Sequence, residues 1–274
     1  MLGIGIIGAG DIARRHAQGY LKNRDRARIV AIADIDPETT EDRAVQWGVK
    51  TYYTDYQELL DRDDIDAVSI CTPNRLHAEM TIAAAESGKH VLCEKPIAIC
   101  LDDADRMIAA CEKRRVKLQI GHHFRFHPYF LKVKELIDAR RLGRILSIKA
   151  RKFKNGVLGE LEASWTDRRG WDSRLFVYGT KGVIECIDNI DEGEIRWYTR
   201  PKDRVARGWM DVNVTRLKTF GENAYVAEIT DFLTAIEEDR EPSCTGWDGR
   251  SSLEAVLAAY RSAGEGKSIK LSLS

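Results

Sequence analysis

The chain lacks an excess of charge of either sign, because 43 Lys and Arg residues are matched by 43 Asp and Glu residues in a total of 274. This balance gives no general electrostatic attraction to nucleic acid or to an anionic membrane. A long hydrophobic run is lacking as well, and the apolar stretch at residues 1–7 has no basic leader and is too short for a secretory or membrane segment. We therefore expect a cytoplasmic protein with no nucleic-acid and no membrane partner.

Cysteine is scarce, and none of the six cysteines forms a C-x-x-C pair. A zinc site therefore lacks its typical ligand spacing, and a disulfide framework is not typical of so long a chain without a signal peptide. We expect no metal site, and we interpret the cysteines as buried thiols. They are Cys71, Cys93, Cys100, Cys111, Cys186 and Cys244.

The first half of the chain alternates short apolar runs with stretches of helical period. This alternation predicts a parallel sheet covered by helices on both faces. Gly48 and Gly88 stand where left-handed helix C-caps belong, and Thr54 or Asp55 can start a short helix that continues to Leu60. The strand-like runs are residues 2–7, 28–34, 67–71, 90–93 and 117–121.

After Gly121 the pattern changes to strands in series, which predicts a mainly antiparallel sheet. Pro128 opens a helix to about Leu142, and Asn155-Gly156 has the composition of a type I′ hairpin turn. Two further helices are predicted, followed by a closing strand. The predicted strands are 145–153, 157–163, 175–178, 183–187, 194–198 and 268–271, and the two helices are 224–238 and 251–263.

These patterns together predict an α/β protein of two domains. Residues 1–122 form an N-terminal Rossmann domain with a doubly wound parallel sheet, and residues 123–274 form a second, shortened α+β domain of mainly antiparallel sheet.

A glycine-rich turn follows the first strand. Gly8, Gly10, Asp11, Ile12 and Ala13 lie in the sequence G-x-G-x-x-A, which is typical of a strand-to-helix turn that binds the diphosphate of a dinucleotide. Gly8 permits the tight turn, Gly10 lets the backbone approach the ligand, and Ala13 lets the helix pack closely on the strand. The alternative is a glycine turn with no ligand, which also occurs between strands and helices.

Asp34 ends the second strand about twenty residues beyond Ala13, where an acid can accept hydrogen bonds from the adenosine ribose. Its charge would repel a 2′-phosphate, and Ile35-Asp36 offers no arginine in compensation. NAD is therefore favoured over NADP as the cofactor. A solvated acid at the end of a strand is the alternative for Asp34.

Two further motifs follow later strands, at the sheet edge where ligands bind in open α/β folds. They are Thr72-Pro73-Asn74 with His77, and Glu94-Lys95-Pro96. Partial burial can bring the pKa of a lysine toward the working range, so Lys95 is a candidate acid and base for a substrate hydroxyl. A solvated loop lysine is the alternative.

The chain resembles the Gfo/Idh/MocA oxidoreductases in Gly8-Ala9-Gly10, in Thr72-Pro73-Asn74 with His77, in the run 88–91 and in Glu94-Lys95-Pro96. The resemblance implies that Lys95 contacts both nicotinamide and substrate, and that a cis bond often precedes Pro96. It also implies that Thr72, Pro73, Asn74, His77 and Glu94 belong to the cofactor site, that His123 lies near the nicotinamide and that Trp165 lines the substrate pocket. A sugar or polyol is the substrate class implied, and a homo-oligomer the assembly.

One part of the family pattern is missing between Gly143 and Val157. Family members carry several dozen further residues there, including an Asp and a His that activate the substrate, and His127 is the last histidine of this chain. Three explanations are open: a natural short form, a chain from which a segment was removed, or a lineage that kept the cofactor fold and lost the reaction. If catalysis survives, Lys95 is the main acid and base, with help from His122, His123 or His127.

Two functions therefore compete. The first is an NAD-dependent dehydrogenase that moves a hydride between a sugar or polyol carbon and nicotinamide, and the second is a catalytically impaired NAD-binding protein with a regulatory or structural role.

Overall fold

The computed structural model describes residues 1–149, 158–160, 173–188, 194–199, 213–217 and 223–271. The chain divides into two compact units. One comprises Met1–His123 together with Asn223–Ser274, and the other comprises Phe124–Glu222.

The first unit is built on a six-stranded parallel sheet. The strands are β1 (Leu2–Ile7), β2 (Ala27–Ala33), β3 (Thr51–Tyr53), β4 (Ala67–Ile70), β5 (His90–Glu94) and β6 (Leu118–Gly121). Their order is β3-β2-β1-β4-β5-β6. Strands β2 and β3 therefore lie on one side of β1, and β4, β5 and β6 lie on its other side. The crevice outside the carboxyl ends of β1 and β4 is where ligands bind in such folds. The sequence did not predict β3, because three residues are too few to show a periodic pattern.

Helices alternate with the strands of this unit: α1 (Asp11–Lys22), α2 (Pro37–Trp47), α3 (Tyr56–Leu60), α4 (His77–Glu86) and α5 (Leu101–Arg114). The helix caps lie at the positions that the sequence predicts. Gly48 and Gly88 have φ of 68° and 74°, as the left-handed caps require. Asp55, rather than Thr54, caps α3 by accepting a bond from the Gln57 amide.

The core of the first unit lies on both faces of the sheet, as the continuous apolar strands predict. Ile4, Ile6, Ile70 and Leu92 are fully buried, and complete burial of such a side chain stabilises the fold by about 1.5–3 kcal/mol. Within the described ranges, no helix has the length and apolar character needed to cross a membrane.

The described residues of the second unit form a mainly antiparallel sheet with the helix that begins at Pro128 packed against it, as predicted. It contains α6 (Pro128–Asp138), β7 (Ile145–Lys149), β8 (Leu158–Glu160), β9 (Ser173–Gly179), β10 (Gly182–Asp188), β11 (Glu194–Thr199) and β12 (Asn213–Leu217). The order is β12-β11-β10-β9-β7-β8. Helix α6 ends four residues before the predicted Leu142, and it buries Val133 and Leu136 against Val177 and Ile184.

Strands β7 and β8 pair in parallel. A two-residue hairpin makes its strands antiparallel, so the predicted hairpin between residues 145–153 and 157–163 is wrong. The turn residues Asn155 and Gly156 lie outside the described residues.

The C-terminal helices α7 (Ala224–Glu237) and α8 (Gly246–Glu265) belong to the first unit, whereas the sequence assigned them to the second domain, 123–274. The physical reason is apolar packing: Ile229 and Phe232 of α7 join the core beneath α1, and Leu253 of α8 joins the core beneath α5. The predicted strand at 268–271 is wrong. These residues follow the left-handed Gly266 without forming a strand, and in the described part of the chain they have no partner strand.

All six cysteines are free thiols, and all but the half-buried Cys100 are buried. Among the described residues, no group of three or more His, Cys, Asp or Glu side chains is placed to hold a metal ion.

Two helical glycines give a matched test of how α1 and α7 pack. A Cβ at Gly19 would lie 2.5 Å from the Cγ1 atom of Ile229, whereas a Cβ at Gly264 would meet nothing within 4 Å. We expect Gly19→Ala to lower the free energy of unfolding by about 1–3 kcal/mol through overpacking. Gly264→Ala should raise it by up to about 1 kcal/mol through helix propensity. Urea unfolding of both variants measures this, and two changes of the same sign would contradict the packing described here.

Candidate functional site

The turn between β1 and α1 is fixed by backbone contacts. Gly8 has a φ of 94°, and its amide donates to the carbonyl oxygen of Ala33 at 2.8 Å. A Cβ at Gly8 would lie 2.8 Å from the carbonyl carbon and oxygen of Cys71. Only glycine fits here, both because of the positive φ and because β4 is so close.

Gly10 has a different role from Gly8. It is exposed, and a Cβ there would meet nothing within 4 Å. Gly10 is also the N-cap of α1 and offers no side chain to accept bonds from the first-turn amides. These amides and the positive end of the helix dipole therefore face open space, which is the arrangement that suits a diphosphate. Ala13, fully buried, lets the helix lie close to the sheet.

Asp34 joins this turn to the end of β2. Its Oδ2 atom accepts from the Ala9 amide at 2.7 Å, and its Oδ1 atom accepts from the Asp36 amide at 3.0 Å. The carboxylate is thereby held beside the turn, where it can accept further bonds from ribose hydroxyls.

An arginine that the sequence analysis missed also reaches the turn. Arg43 of α2 donates from Nε to the carbonyl oxygen of Ala9 at 3.1 Å and from Nη1 to Gln46 at 3.1 Å. The only signal in the sequence is its place on the first helix after Asp34, seven residues beyond the Ile35-Asp36 pair in which an arginine was sought.

The segment after β4 has exposed and buried parts. Pro73 and Asn74 are exposed, and Thr72 is half-buried, so these three lie at the carboxyl edge as predicted. His77 is buried, with 1% of its surface exposed. Its ring nitrogens bond to the carbonyl oxygens of Thr72, at 2.9 Å, and Pro96, at 2.8 Å. The ring therefore joins two loops, and its nitrogens are not available for the direct cofactor contact that the resemblance implied.

The motif after β5 exposes its lysine and buries its acid. Lys95 is exposed, so the partial burial from which its role as acid and base was predicted is not found, and the Lys95–Pro96 peptide bond is cis. Glu94 has 4% of its surface exposed and accepts from the Lys95 amide at 3.0 Å. Glu94 therefore supports the turn from beneath, and Lys95 is the member of the pair whose side chain can meet a ligand.

A buried hydrogen-bonded chain lies behind Glu94. His16 of α1 bonds to Glu94 through Nε2 at 3.1 Å and to the Ser69 hydroxyl through Nδ1 at 3.2 Å, and Tyr20 bonds to Ser69 at 2.8 Å. Burial acts to raise the pKa of Glu94, but the bond to His16 and the charges of His16 and Lys95 outweigh it and the net pKa is lowered. This series of hydrogen bonds was not predicted from the sequence. Its only local signal is that His16 and Tyr20 share the apolar face of α1 with Ala13 and Ala17.

Two histidines that follow β6, His122 and His123, contact residues of the C-terminal segment. His123 is half-buried, and its ring stacks on Tyr225 of α7 with centroids 4.3 Å apart. His122 bonds through Nδ1 to the Cys244 thiol at 3.3 Å. Trp165, the predicted substrate residue, lies outside the described residues.

Glu228 of α7 is a second buried acid near Glu94, and no sequence pattern indicated it. It is fully buried, and neither carboxyl oxygen has a hydrogen-bond partner in the described part of the chain. Burial raises its pKa well above the ordinary value, and the charges of Glu94 and Asp231 act in the same direction.

The site residues therefore follow the carboxyl ends of five neighbouring strands of one parallel sheet. The open helix end at Gly10 and the acid Asp34 fit a dinucleotide, and the exposed Lys95 lies at the same edge. This combination defines the class: a dinucleotide-binding Rossmann domain.

Comparison with known proteins gives the family. Residues 2–122 match the model of the oxidoreductase family with an NAD-binding Rossmann fold, and residues 152–271 match that family's C-terminal alpha/beta domain. The chain belongs to this Gfo/Idh/MocA oxidoreductase family, so the resemblance inferred from the sequence, the fold class and the NAD cofactor are confirmed.

Individual relatives extend over nearly the whole chain. The chain is 37% identical to 1,5-anhydro-D-fructose reductase of Ensifer adhaerens, over 97% of this chain and 98% of that protein. It is 28% identical to myo-inositol 2-dehydrogenase of Thermotoga maritima, over 98% of each. That alignment extends over 334 positions, against 274 residues here, so the relative has residues that this chain lacks.

A solved structure has the same fold. Levoglucosan dehydrogenase in complex with NADH superimposes with a TM-score of 0.87 at 21% identity, over 97% of this chain and 98% of that one.

The buried acid Glu228 gives a stability prediction that depends on pH. Its pKa is raised in the folded state, so its contribution to stability is complete below the unfolded pKa and is lost as pH rises toward the folded pKa. We expect Glu228→Gln to gain stability relative to the native chain between pH 5 and pH 8, by up to about 1.4 kcal/mol per pH unit. Urea unfolding across this range measures the gain.

Glu228→Met is the second variant, because it also removes the titrating group and should show the same pH slope. A stability difference from the native chain that stays constant with pH in both variants would show that Glu228 does not titrate differently in the folded state.

Proposed function

We propose that this NAD-binding oxidoreductase moves a hydride between a hydroxyl-bearing carbon of a sugar or polyol and nicotinamide, with Lys95 as acid and base. The observation that carries the proposal is the placement of Lys95, which is exposed at the same sheet edge as the open helix end at Gly10. The names of two relatives, an inositol dehydrogenase and an anhydrofructose reductase, support the substrate class.

The dinucleotide is held mainly by backbone groups. The turn of Gly8 and Gly10 and the first-turn amides of Asp11, Ile12 and Ala13 receive the diphosphate. Asp34 accepts from the ribose hydroxyls, and its charge favours NAD over NADP. Arg43 donates to Ala9 and Gln46 through Nε and Nη1 and keeps three further N–H groups, so the preference for NAD rests on the charge of Asp34.

The nicotinamide supplies the hydride acceptor or donor when it is bound. The residues that would hold it are Thr72, Pro73 and Asn74 at the carboxyl edge and the stacked ring of His123. Lys95 takes the hydroxyl proton during oxidation and returns it during reduction. Glu94 holds the Lys95 backbone amide and does not contact the substrate itself. Trp165 remains a substrate-site prediction from the resemblance.

The working environment is proposed on two observations. Six free thiols suit the reducing cytoplasm, and a net charge of zero gives no reason to expect nucleic acid as a partner. We also expect a homo-oligomer, as the family resemblance implies; light scattering on the purified protein measures its mass.

Two glycine variants test the dinucleotide site. Gly10→Ala places a methyl group in space that protein atoms leave open, so the free energy of unfolding should change by at most about 1 kcal/mol while the Kd for NAD rises at least about tenfold. Gly264→Ala, also in open space, is the control and should leave the Kd unchanged. Calorimetric titration with NAD and with NADP measures both. An unchanged Kd in Gly10→Ala would remove the diphosphate assignment.

Two lysine variants test the proposed role of Lys95 in proton transfer. We expect Lys95→Met to lower kcat by about 10²–10⁴-fold, the usual contribution of a general acid or base, with the Kd for NAD within about threefold of the native value. Lys113→Met, at an exposed position in the last turn of α5, should leave both unchanged. NADH absorbance is followed with inositols, anhydrosugars and aldoses.

Three outcomes are decisive. Full activity in folded Lys95→Met would remove the proposed role of that residue. Binding of NAD by the native chain with no turnover of any compound in the panel would favour the catalytically impaired NAD-binding protein. Absence of NAD binding would contradict both functions.

A further inference from the structure

The turn that carries Lys95 is held on two sides by buried histidines. We propose that His16 and His77 are positioning residues that together fix the Lys95 turn, His16 through the Glu94 carboxylate and His77 through the Pro96 carbonyl. This inference rests on the proposed role of Lys95 in proton transfer. The set of His16, His77 and Glu94 is called the histidine clamp below.

On the His77 side of the clamp, the two ring nitrogens lie next to backbone carbonyl oxygens: Nδ1 is 2.8 Å from that of Pro96 and Nε2 is 2.9 Å from that of Thr72. Carbonyl oxygens can only accept, so a neutral ring donates to one of them and a doubly protonated ring to both. The side chain therefore lies between the end of β4 and the residue directly after Lys95. With only 1% of its surface exposed, the ring has no room to turn away without leaving a buried polar group unpaired, which is unfavourable.

The His16 side acts on the residue directly before Lys95. A carboxylate accepts only, so Nε2 of His16 donates to the Oε1 atom of Glu94 at 3.1 Å. The other oxygen, Oε2, accepts from the amide of Lys95 itself at 3.0 Å. The position of His16 is thereby transmitted through one carboxylate to the backbone of Lys95.

The Glu94 carboxylate has little freedom to choose another position. A Cβ on Gly121 of β6 would lie 3.0 Å from its Oε1 atom and 3.1 Å from its carboxyl carbon, so the neighbouring strand limits it on that side. Both the acid and His16 are buried, with 4% and 0% of their surfaces exposed. Loss of His16 would leave a buried carboxylate short of a partner.

The hydrogen bonds behind His16 are not a proton path. They continue from His16 through Ser69 to the Tyr20 hydroxyl, and Ser69 and Tyr20 are buried with at most 1% of their surface exposed. Burial also raises the pKa of Tyr20, so its hydroxyl keeps its proton. These bonds end inside the core, where they cannot exchange protons with water, and the bond that reaches the Lys95 turn is the one from His16 to Glu94.

Support of this kind matters because the ammonium of Lys95 is on an exposed, flexible side chain. Its only fixed part is the backbone from which it extends. A displacement of about 1 Å at a reacting group can cost about 10²-fold in rate, and catalytic groups need neighbours that lock them in place. The histidine clamp provides this at the two peptide units that flank Lys95.

The experiment compares His16→Leu and His77→Leu with the conservative variants His16→Gln and His77→Gln, whose amides can replace one ring nitrogen each. The matched control is Tyr20→Phe, which removes a buried hydrogen bond from the same helix as His16 but does not touch Glu94. Thermal unfolding first establishes which variants are folded. Two readouts follow: hydrogen exchange of the Lys95 amide in the protein without cofactor, and kcat and KM with NAD.

We expect exchange of the Lys95 amide to accelerate at least tenfold in the Leu variants, with kcat falling about 10- to 100-fold and the Kd for NAD within threefold of the native value. The Gln variants should recover at least part of both effects. Tyr20→Phe should unfold at a lower temperature but keep its kcat. Unchanged amide exchange in folded His16 and His77 variants, or an equal loss of kcat in Tyr20→Phe, would overturn the clamp.

The two proposals fail in distinguishable ways. If the Leu variants lose amide protection while Lys95→Met retains full activity, the clamp stands as structure and the proposed role of Lys95 is wrong. If Lys95→Met loses activity while the folded clamp variants keep both protection and kcat, the role of Lys95 stands and the clamp is wrong.

Discussion

The turn at Gly8–Gly10 lies between two parallel strands and touches both through backbone atoms. The Gly8 amide donates to Ala33 of β2, and the Gly8 Cα faces the carbonyl of Cys71 at the end of β4, with no room for a side chain. Asp34 adds a third attachment through the Ala9 amide. These contacts fix the end of strand β1. Helix α1 therefore begins at one defined position at the carboxyl edge of the sheet, and the other site residues lie along the same edge.

The buried acids Glu94 and Glu228 show how the fold distributes charge beneath this edge. Glu94 has partners, and its pKa is lowered; Glu228 has no partner among the described residues, and its pKa is raised. The charge of Glu94 acts to raise the pKa of Glu228, because two like charges close together in the core repel. The protonated form is therefore favoured at Glu228, whereas His16 and Lys95 favour the charged form of Glu94, which accepts from the Lys95 amide.

Local rules predicted the local parts of the molecule. The glycine turn, the acid Asp34 and the caps at Gly48 and Gly88 are each determined by residues a few positions apart or by a strand end. Lys95 was expected to be partly buried and is exposed. Sequence patterns could not identify His16, Ser69, Arg43 and Glu228, because their partners lie far along the chain, such as Glu94 for His16. The antiparallel pairing of residues 145–153 with 157–163 and the strand at 268–271 were wrong for the same reason: pairing between distant segments decides whether a strand forms.

Helices α7 and α8 complete the first unit although they are the last elements of the chain. During synthesis, the sheet and α1 emerge while Ile229, Phe232 and Leu233, which will cover Ala17 and Tyr20, have not yet been made. One apolar face of the nascent Rossmann sheet therefore stays uncovered until residues 223–274 leave the ribosome. Such a delay exposes a growing polypeptide to aggregation, so the late position of α7 in the sequence makes translation the stage at which this fold is most vulnerable.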